Sequence, residues 1–169
     1  MNLRKLLVSS LLLSVGLMLH QITPPFLMGM KPDFLLSMMF IAILFADDYK
    51  LTLVIGLAAG ILTAMTTTFP GGQLPNIIDK VLTCNFIFIL TKAMGDRLAS
   101  GIKIIIVSIL GTFFSGFVFL LSALYLAGLP APFLALVLTV VVPASLLNTV
   151  FATILFNAVT LAMKRTAVK

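Results

Sequence analysis

Charge is so scarce in this chain that water cannot be the solvent for most of its surface. Lys, Arg and Asp together make up 9% of 169 residues, Glu is absent, and 61% of the residues are hydrophobic. An ordinary soluble domain is roughly a quarter charged. What separates one apolar run from the next is mostly Pro and Gly, with a few clustered charges. At about 20 residues per membrane-spanning helix, the length leaves room for six spans and short loops. The expected architecture is therefore all-α: a single integral membrane domain over residues 1–169.

Breakers set the limits of each helix. Helix 1 is expected from Arg4 to Ile22. Its start, Arg4-Lys5 followed by Leu6 to Leu19, imitates a signal peptide. His20-Gln21-Ile22-Thr23-Pro24-Pro25 follows it in place of a small-residue cleavage pattern, so an uncleaved first helix is the expectation. The stretch from Thr23 to Met30 holds two prolines and a glycine, which cannot continue a helix, yet it is too apolar for an ordinary exposed loop. Irregular backbone at membrane depth is tolerated against protein or a water-filled cavity. Helix 2 is expected from Pro32 to Ala46, a rise of about 22 Å that falls short of a roughly 30 Å hydrocarbon core. Helix 3 is expected from Leu51 to Phe69, with Gly56, Gly60 and Ala64 forming a face for close helix approach.

A second irregular loop, Pro70-Gly71-Gly72-Gln73-Leu74-Pro75-Asn76, leads to helix 4 over Ile77 to Met94. Helix 5 is expected from Ile102 to Ala127, and helix 6 from Phe133 to Met163 with a kink at Pro143. With both termini in the cytoplasm, Arg4, Lys5, Lys50, Lys92, Arg97, Lys103, Lys164, Arg165 and Lys169 fall on the cytoplasmic side. Only Lys31 and Lys80 fall outside, a division of 9 against 2 that accounts for all 11. The positive-inside rule selects this topology over its inverse. It also accounts for the net charge of +6 without a nucleic-acid partner.

The two exceptions each have a carboxylate beside them. Lys31 is followed by Pro32-Asp33, and Lys80 is preceded by Asp79, with Asn76 and Gln73 just upstream. Ionisable groups at membrane depth are expensive and face a cavity or one another. Two lysines and two aspartates around an outward cavity suit a zwitterion, with Phe26, Met28, Met30, Phe34 and Phe69 as the apolar wall. A structural reading stands beside this one. Asp33 and Asp79 would favour the helix dipole in the first turns of helices 2 and 4, Asn76 would cap helix 4, and the lysines would snorkel. Polar atoms concentrated beside two unusual loops favour a site. On helix 6, Ser145, Thr149, Thr153 and Asn157 form a stripe suited to interhelical hydrogen bonds, with Asn148 alongside as a further site candidate.

Catalytic constellations are missing from the pattern. No Gly-rich loop ends in Gly-Lys-Ser/Thr, so ATP has no such loop to bind. One His and one Cys do not make the common zinc patterns. Cys84, alone in an apolar run, reads as a small buried side chain.

Gly-Met-Lys-Pro-Asp at 29–33 and Phe-Pro-Gly-Gly-Gln-Leu-Pro-Asn-Ile-Ile-Asp-Lys at 69–80 resemble the bacterial tryptophan transport protein family. The resemblance extends in length and helix number over essentially the whole chain. It implies a six-helix bundle like that of the substrate-binding S components of energy-coupling-factor (ECF) importers, sitting in the bacterial cell membrane and capturing tryptophan outside. ATP would be hydrolysed by separate partners, two ATPase subunits joined through a transmembrane coupling protein, and no cofactor would reside in this chain. S components dock through small residues spaced by four on helix 1; here Ser10 and Ser14 occupy the matching positions, small but not alanine. The substrate-binding set expected on this reading is Lys31, Asp33, Gln73, Asn76, Asp79, Lys80 and Asn148. A stand-alone ion-coupled permease and a non-transporting membrane scaffold are the rival readings.

Overall fold

The computed structural model of the chain describes residues 2–24, 32–95 and 98–167. Among them the chain forms six long helices and no strand. These are α1 (Leu3–Ile22), α2 (Phe34–Ala46), α3 (Tyr49–Thr66), α4 (Gln73–Met94) and α5 (Ser100–Leu126), followed by a compound α6. The last begins as α-helix over Phe133–Leu136, widens to a π-helix over Val137–Val141 and returns to α-helix over Val142–Ala167. Leu3–Ile22, Tyr49–Thr66, Ser100–Leu126 and Phe133–Arg165 are long and apolar enough to cross a membrane. The other two helices depart from that pattern for different reasons: α2 is short, and α4 carries Asp79, Lys80 and Lys92.

The hub is α2. Every residue from Phe34 to Ile43 is buried, as expected of a helix that is apolar on all sides. All five other helices touch it. Its 13 residues rise about 20 Å, so a space is left beyond its N-terminus. Outward-facing Leu7, Leu11 and Met18 on α1, and Leu146, Val150 and Ile154 on α6, give the bundle an apolar exterior.

Small residues set the closest approach, between α3 and α4. A Cβ at Gly56 would lie 2.2 Å from Cys84 Sγ, and one at Gly60 would lie 3.1 Å from Ile77 Cα. Gly56 is therefore fixed by contact, and Cys84 is the small buried side chain that meets it.

Several helix limits differ from the sequence reading. Pro32 does not open α2; Asp33 is its N-cap, with the carboxylate accepting from Leu36 N at 2.9 Å. Gln73, not Ile77, is the first residue of α4. Pro75 then lies in the first turn, where its missing N–H has no intrahelical partner to lose. Asn76 therefore caps nothing: its Nδ2 donates to Gly72 O at 2.7 Å. Asp79 moves out of the first turn, which holds no acidic residue. At Pro143 the disturbance takes the form of the preceding π-turn. Widening the helix there relieves the clash between a proline ring and the carbonyl one turn earlier.

At the end of the bundle away from α2's N-terminus, Lys5 Nζ donates to Ala46 O at 2.8 Å and Lys92 Nζ to Asp47 Oδ1 at 2.6 Å. The hydrogen bond from Lys92 holds the Asp47 carboxyl below the usual carboxylate range.

Candidate ligand-binding cavity

Beyond the N-terminus of α2 lies a cavity of about 420 Å³, within the range of small-molecule sites. Helices and loops both contribute to its wall. From α2 come Asp33 and Leu36; from α4 come Asn76, Asp79 and Lys80; from α5, among others, come Thr112, Ser115 and Phe119. The connection between α3 and α4 supplies Thr67 and Phe69, and α6 supplies Val140, Val141 and Asn148. The π-turn thus lies directly on the cavity, where such turns frequently occur in functional sites.

One part of the wall is polar and tightly cross-linked. Asp79 and Lys80 are buried, at 1% and 3% exposure, a placement tolerable only when both charges are paired and hydrogen-bonded. They form an ion pair through Asp79 Oδ2. Ser115 Oγ donates to the same oxygen at 2.9 Å, and Thr83 Oγ1 donates to Oδ1 at 2.9 Å. Lys80 Nζ also lies 3.3 Å from Ser115 Oγ. Nearby, Asn148 Oδ1 accepts from the backbone N–H of Asp33 at 2.8 Å, tying the N-terminus of α2 to α6. Its Nδ2 donates to Thr112 Oγ1 at 3.4 Å. His20 stands at the rim of this group, with Nδ1 3.2 Å from Pro32 O and 3.8 Å from Asp33 Oδ1.

The remaining wall is apolar. Phe69 and Phe119 meet edge to face with centroids 5.3 Å apart, and Leu36, Leu120, Leu136, Val140 and Val141 continue the surface. A second hollow of about 460 Å³ between the α3–α4 and α5–α6 loops shares Phe69 and Pro130 with the first.

Of the residues selected from sequence, Asp33, Asn76, Asp79, Lys80 and Asn148 come together at this cavity. Gln73 is exposed at the start of α4 and is not among the lining residues. Lys31 lies outside the described residues, as do Phe26, Met28 and Met30. Phe34 is packed against Phe151 rather than on the cavity. Ser10 and Ser14 are exposed on α1, their hydroxyls bonded to Leu6 O and Ser10 O. The α5 contribution escaped the sequence reading. Its signal is nonetheless present: Ser108, Thr112 and Ser115 recur at helical spacing on one face of an otherwise apolar helix. Among the described residues, no group of three His, Cys, Asp or Glu side chains is placed to hold a metal ion.

A helical bundle with buried fixed charge on one wall of a cavity and aromatic rings on another has the chemistry to receive a small amphipathic solute. The family profile of the tryptophan transporter TrpP matches residues 2–164, and the chain belongs to that family. Among its relatives is a probable tryptophan transport protein of Clostridium acetobutylicum, 54% identical over 97% of this chain and 96% of its own. Proteins of the same description from Clostridium perfringens and Bacillus subtilis are 43% and 42% identical, covering 97% and 99% of this chain and 95% and 96% of theirs. No solved structure matches the chain.

Proposed function

We propose that this chain carries tryptophan into the bacterial cell as the substrate-binding S component of an ATP-driven ECF importer. The observation that carries the proposal is the division of one cavity between the buried Asp79–Lys80–Ser115 array and the Phe69–Phe119 wall. Tryptophan has the matching division, a zwitterionic end and a large apolar ring. The relatives' description as probable tryptophan transport proteins supports the same substrate.

In this reading all six helices span the cell membrane, both termini are cytoplasmic and the cavity faces outward. Among the described lysines and arginines, Lys80 alone lies on the cavity side. Arg4, Lys5, Lys50, Lys92, Lys103, Lys164 and Arg165 lie toward the other end, as the positive-inside rule requires of a cytoplasmic face. The short α2 and the charged α4 are the helices that bring Asp33, Asp79 and Lys80 to the cavity, which fits their departure from the usual spanning pattern.

Energy would come from partners, because the sequence contains no phosphate-binding loop of the Gly-Lys-Ser/Thr type. Among the described residues α1 touches only α2 and α3, leaving Leu7, Ser10, Leu11 and Ser14 exposed along one face. That face is where the coupling protein would dock, with two ATPase subunits beyond it. Uptake of radiolabelled tryptophan in a host lacking its own transporters tests the reading. Uptake that requires co-expression of the coupling protein and ATPases supports it. Uptake by this chain alone, abolished by collapsing the ion gradient, contradicts it in favour of a stand-alone permease.

A further inference from the structure

The bonding pattern inside the cavity distinguishes the roles of its three charged side chains. Asp79 is already occupied: Thr83 donates to Oδ1, while Ser115 and Lys80 donate to Oδ2. Three of the roughly four lone-pair positions of a carboxylate are thereby taken. A ligand ammonium arriving at Asp79 would be confined to the one position left and would compete with Lys80 for its counter-ion, in a setting that is 1% exposed. Stripping the partner from a buried charge is the most costly rearrangement available there.

Lys80 is in a different position. An ammonium group has three protons, of which one is directed at Asp79 and one at Ser115. The third remains for a guest in the cavity. Asp33 differs again. Its Oδ1 accepts from Leu36 N, while Oδ2 accepts no hydrogen bond among the described residues, and the side chain is 30% exposed. Asn148 fixes its backbone from the other side. It is a held carboxylate with an open oxygen on a cavity wall.

We infer, building on the tryptophan reading above, that Lys80 anchors the carboxylate of the ligand and Asp33 its ammonium group, while Asp79 is a positioning residue that touches Lys80 and not the ligand. The cavity thereby reads a free α-amino acid at both charged ends, and an indole lacking either charge loses one anchor. Asp79 works through Lys80 by keeping its ammonium aimed and charged within an apolar surround.

Binding of tryptophan, tryptamine and indole-3-propionate to the purified chain tests the assignment, since the second ligand lacks the carboxylate and the third the ammonium. Wild-type protein prefers tryptophan to both. Lys80→Met lowers tryptophan affinity at least about tenfold and removes the preference over tryptamine, leaving the preference over indole-3-propionate. Asp33→Asn, which keeps the helix cap, does the reverse. Where Lys80→Met alone does not fold, Asp79→Asn/Lys80→Met leaves no isolated buried charge and is expected to show the same selectivity. Asp79→Asn lowers tryptophan affinity and still discriminates against indole-3-propionate, and Asp79→Glu restores part of the loss. Loss of ammonium discrimination in Asp79→Asn, or its survival in Asp33→Asn, overturns the assignment while leaving tryptophan binding in place. Folded wild-type protein indifferent to all three indoles overturns the tryptophan reading itself and the assignment with it.

Discussion

In the sequence, Asp79 and Lys80 read as a local pair or as part of a site, and the unusual loops beside them tip the reading towards a site. The structure buries the pair, and hydroxyls reach Asp79 from Thr83 on α4 and Ser115 on α5, so it is not a surface pair. The spacing of Thr83 from Asp79 is visible in the sequence; the approach of Ser115 is a tertiary fact that no local pattern contains. A hydrogen bond to a charged group contributes about 1.5–3 kcal/mol, so Thr83→Val, which keeps the shape and removes the donor, should lower stability by about that amount. Thermal unfolding in detergent checks this, and an unchanged Tm would mean that the Thr83 hydroxyl does not support the pair. Gly116 offers the complementary test on the apolar side. It lines the cavity, and a Cβ there would lie 2.7 Å from Val141 Cγ1. Gly116→Val should therefore crowd the slot and cost about 1–3 kcal/mol of tryptophan binding, roughly 10–200-fold in affinity. Isothermal titration checks it; full affinity in the folded variant would place the ring elsewhere.

At the scale of elements, helix number follows directly from apolar runs punctuated by Pro and Gly, because a span must satisfy its own backbone hydrogen bonds. Boundaries are less legible, since one residue type carries opposite meanings. Pro75 reads as a breaker in a loop, yet in the first turn of α4 it breaks nothing. That four-residue shift carries Asp79 from the helix end into the second turn and onto the cavity. The π-turn at Val137–Val141 has no local signature beyond Pro143. The small-residue face of α3, by contrast, is plain in the sequence; that α4 is the helix meeting its Gly56 and Gly60 is a tertiary fact. Gly56→Leu would drive a side chain into Cys84 and the α4 backbone, and overpacking of that kind costs about 1–3 kcal/mol or more. A Tm no lower than wild type would show that α3 and α4 can separate freely. The exposed face of α1 makes the opposite prediction. Ser10→Leu and Ser14→Leu touch no buried contact, so tryptophan binding and stability should be kept while coupled uptake falls. Lost binding in the isolated protein would remove α1 from a purely docking role.

For the molecule as a whole, scarcity of charge specifies an apolar exterior, and Asp33, Asp79 and Lys80, which break the pattern, line the cavity. Lys80 is conspicuous because it departs from the basic bias of the other end, and the order of residues alone makes that departure visible. The depth of the cavity, its lining by α5 and α6, and the exclusion of Gln73 depend on how six helices cross, which apolar periodicity does not encode. In the function proposed above, a chain with no Gly-Lys-Ser/Thr loop of its own would seize a free amino acid by burying its ring and holding both its charges. Because the sequence contains no Trp, indole emission from the ligand can be followed against the protein with selective red-edge excitation. The most direct test is a titration of purified protein in detergent with tryptophan, read by the emission maximum and competed with non-fluorescent indole analogues. A saturable blue shift, competed away and weakened by Lys80→Met, is the expected result. Emission that stays at its aqueous position through saturating concentrations of demonstrably folded protein would contradict a buried indole site.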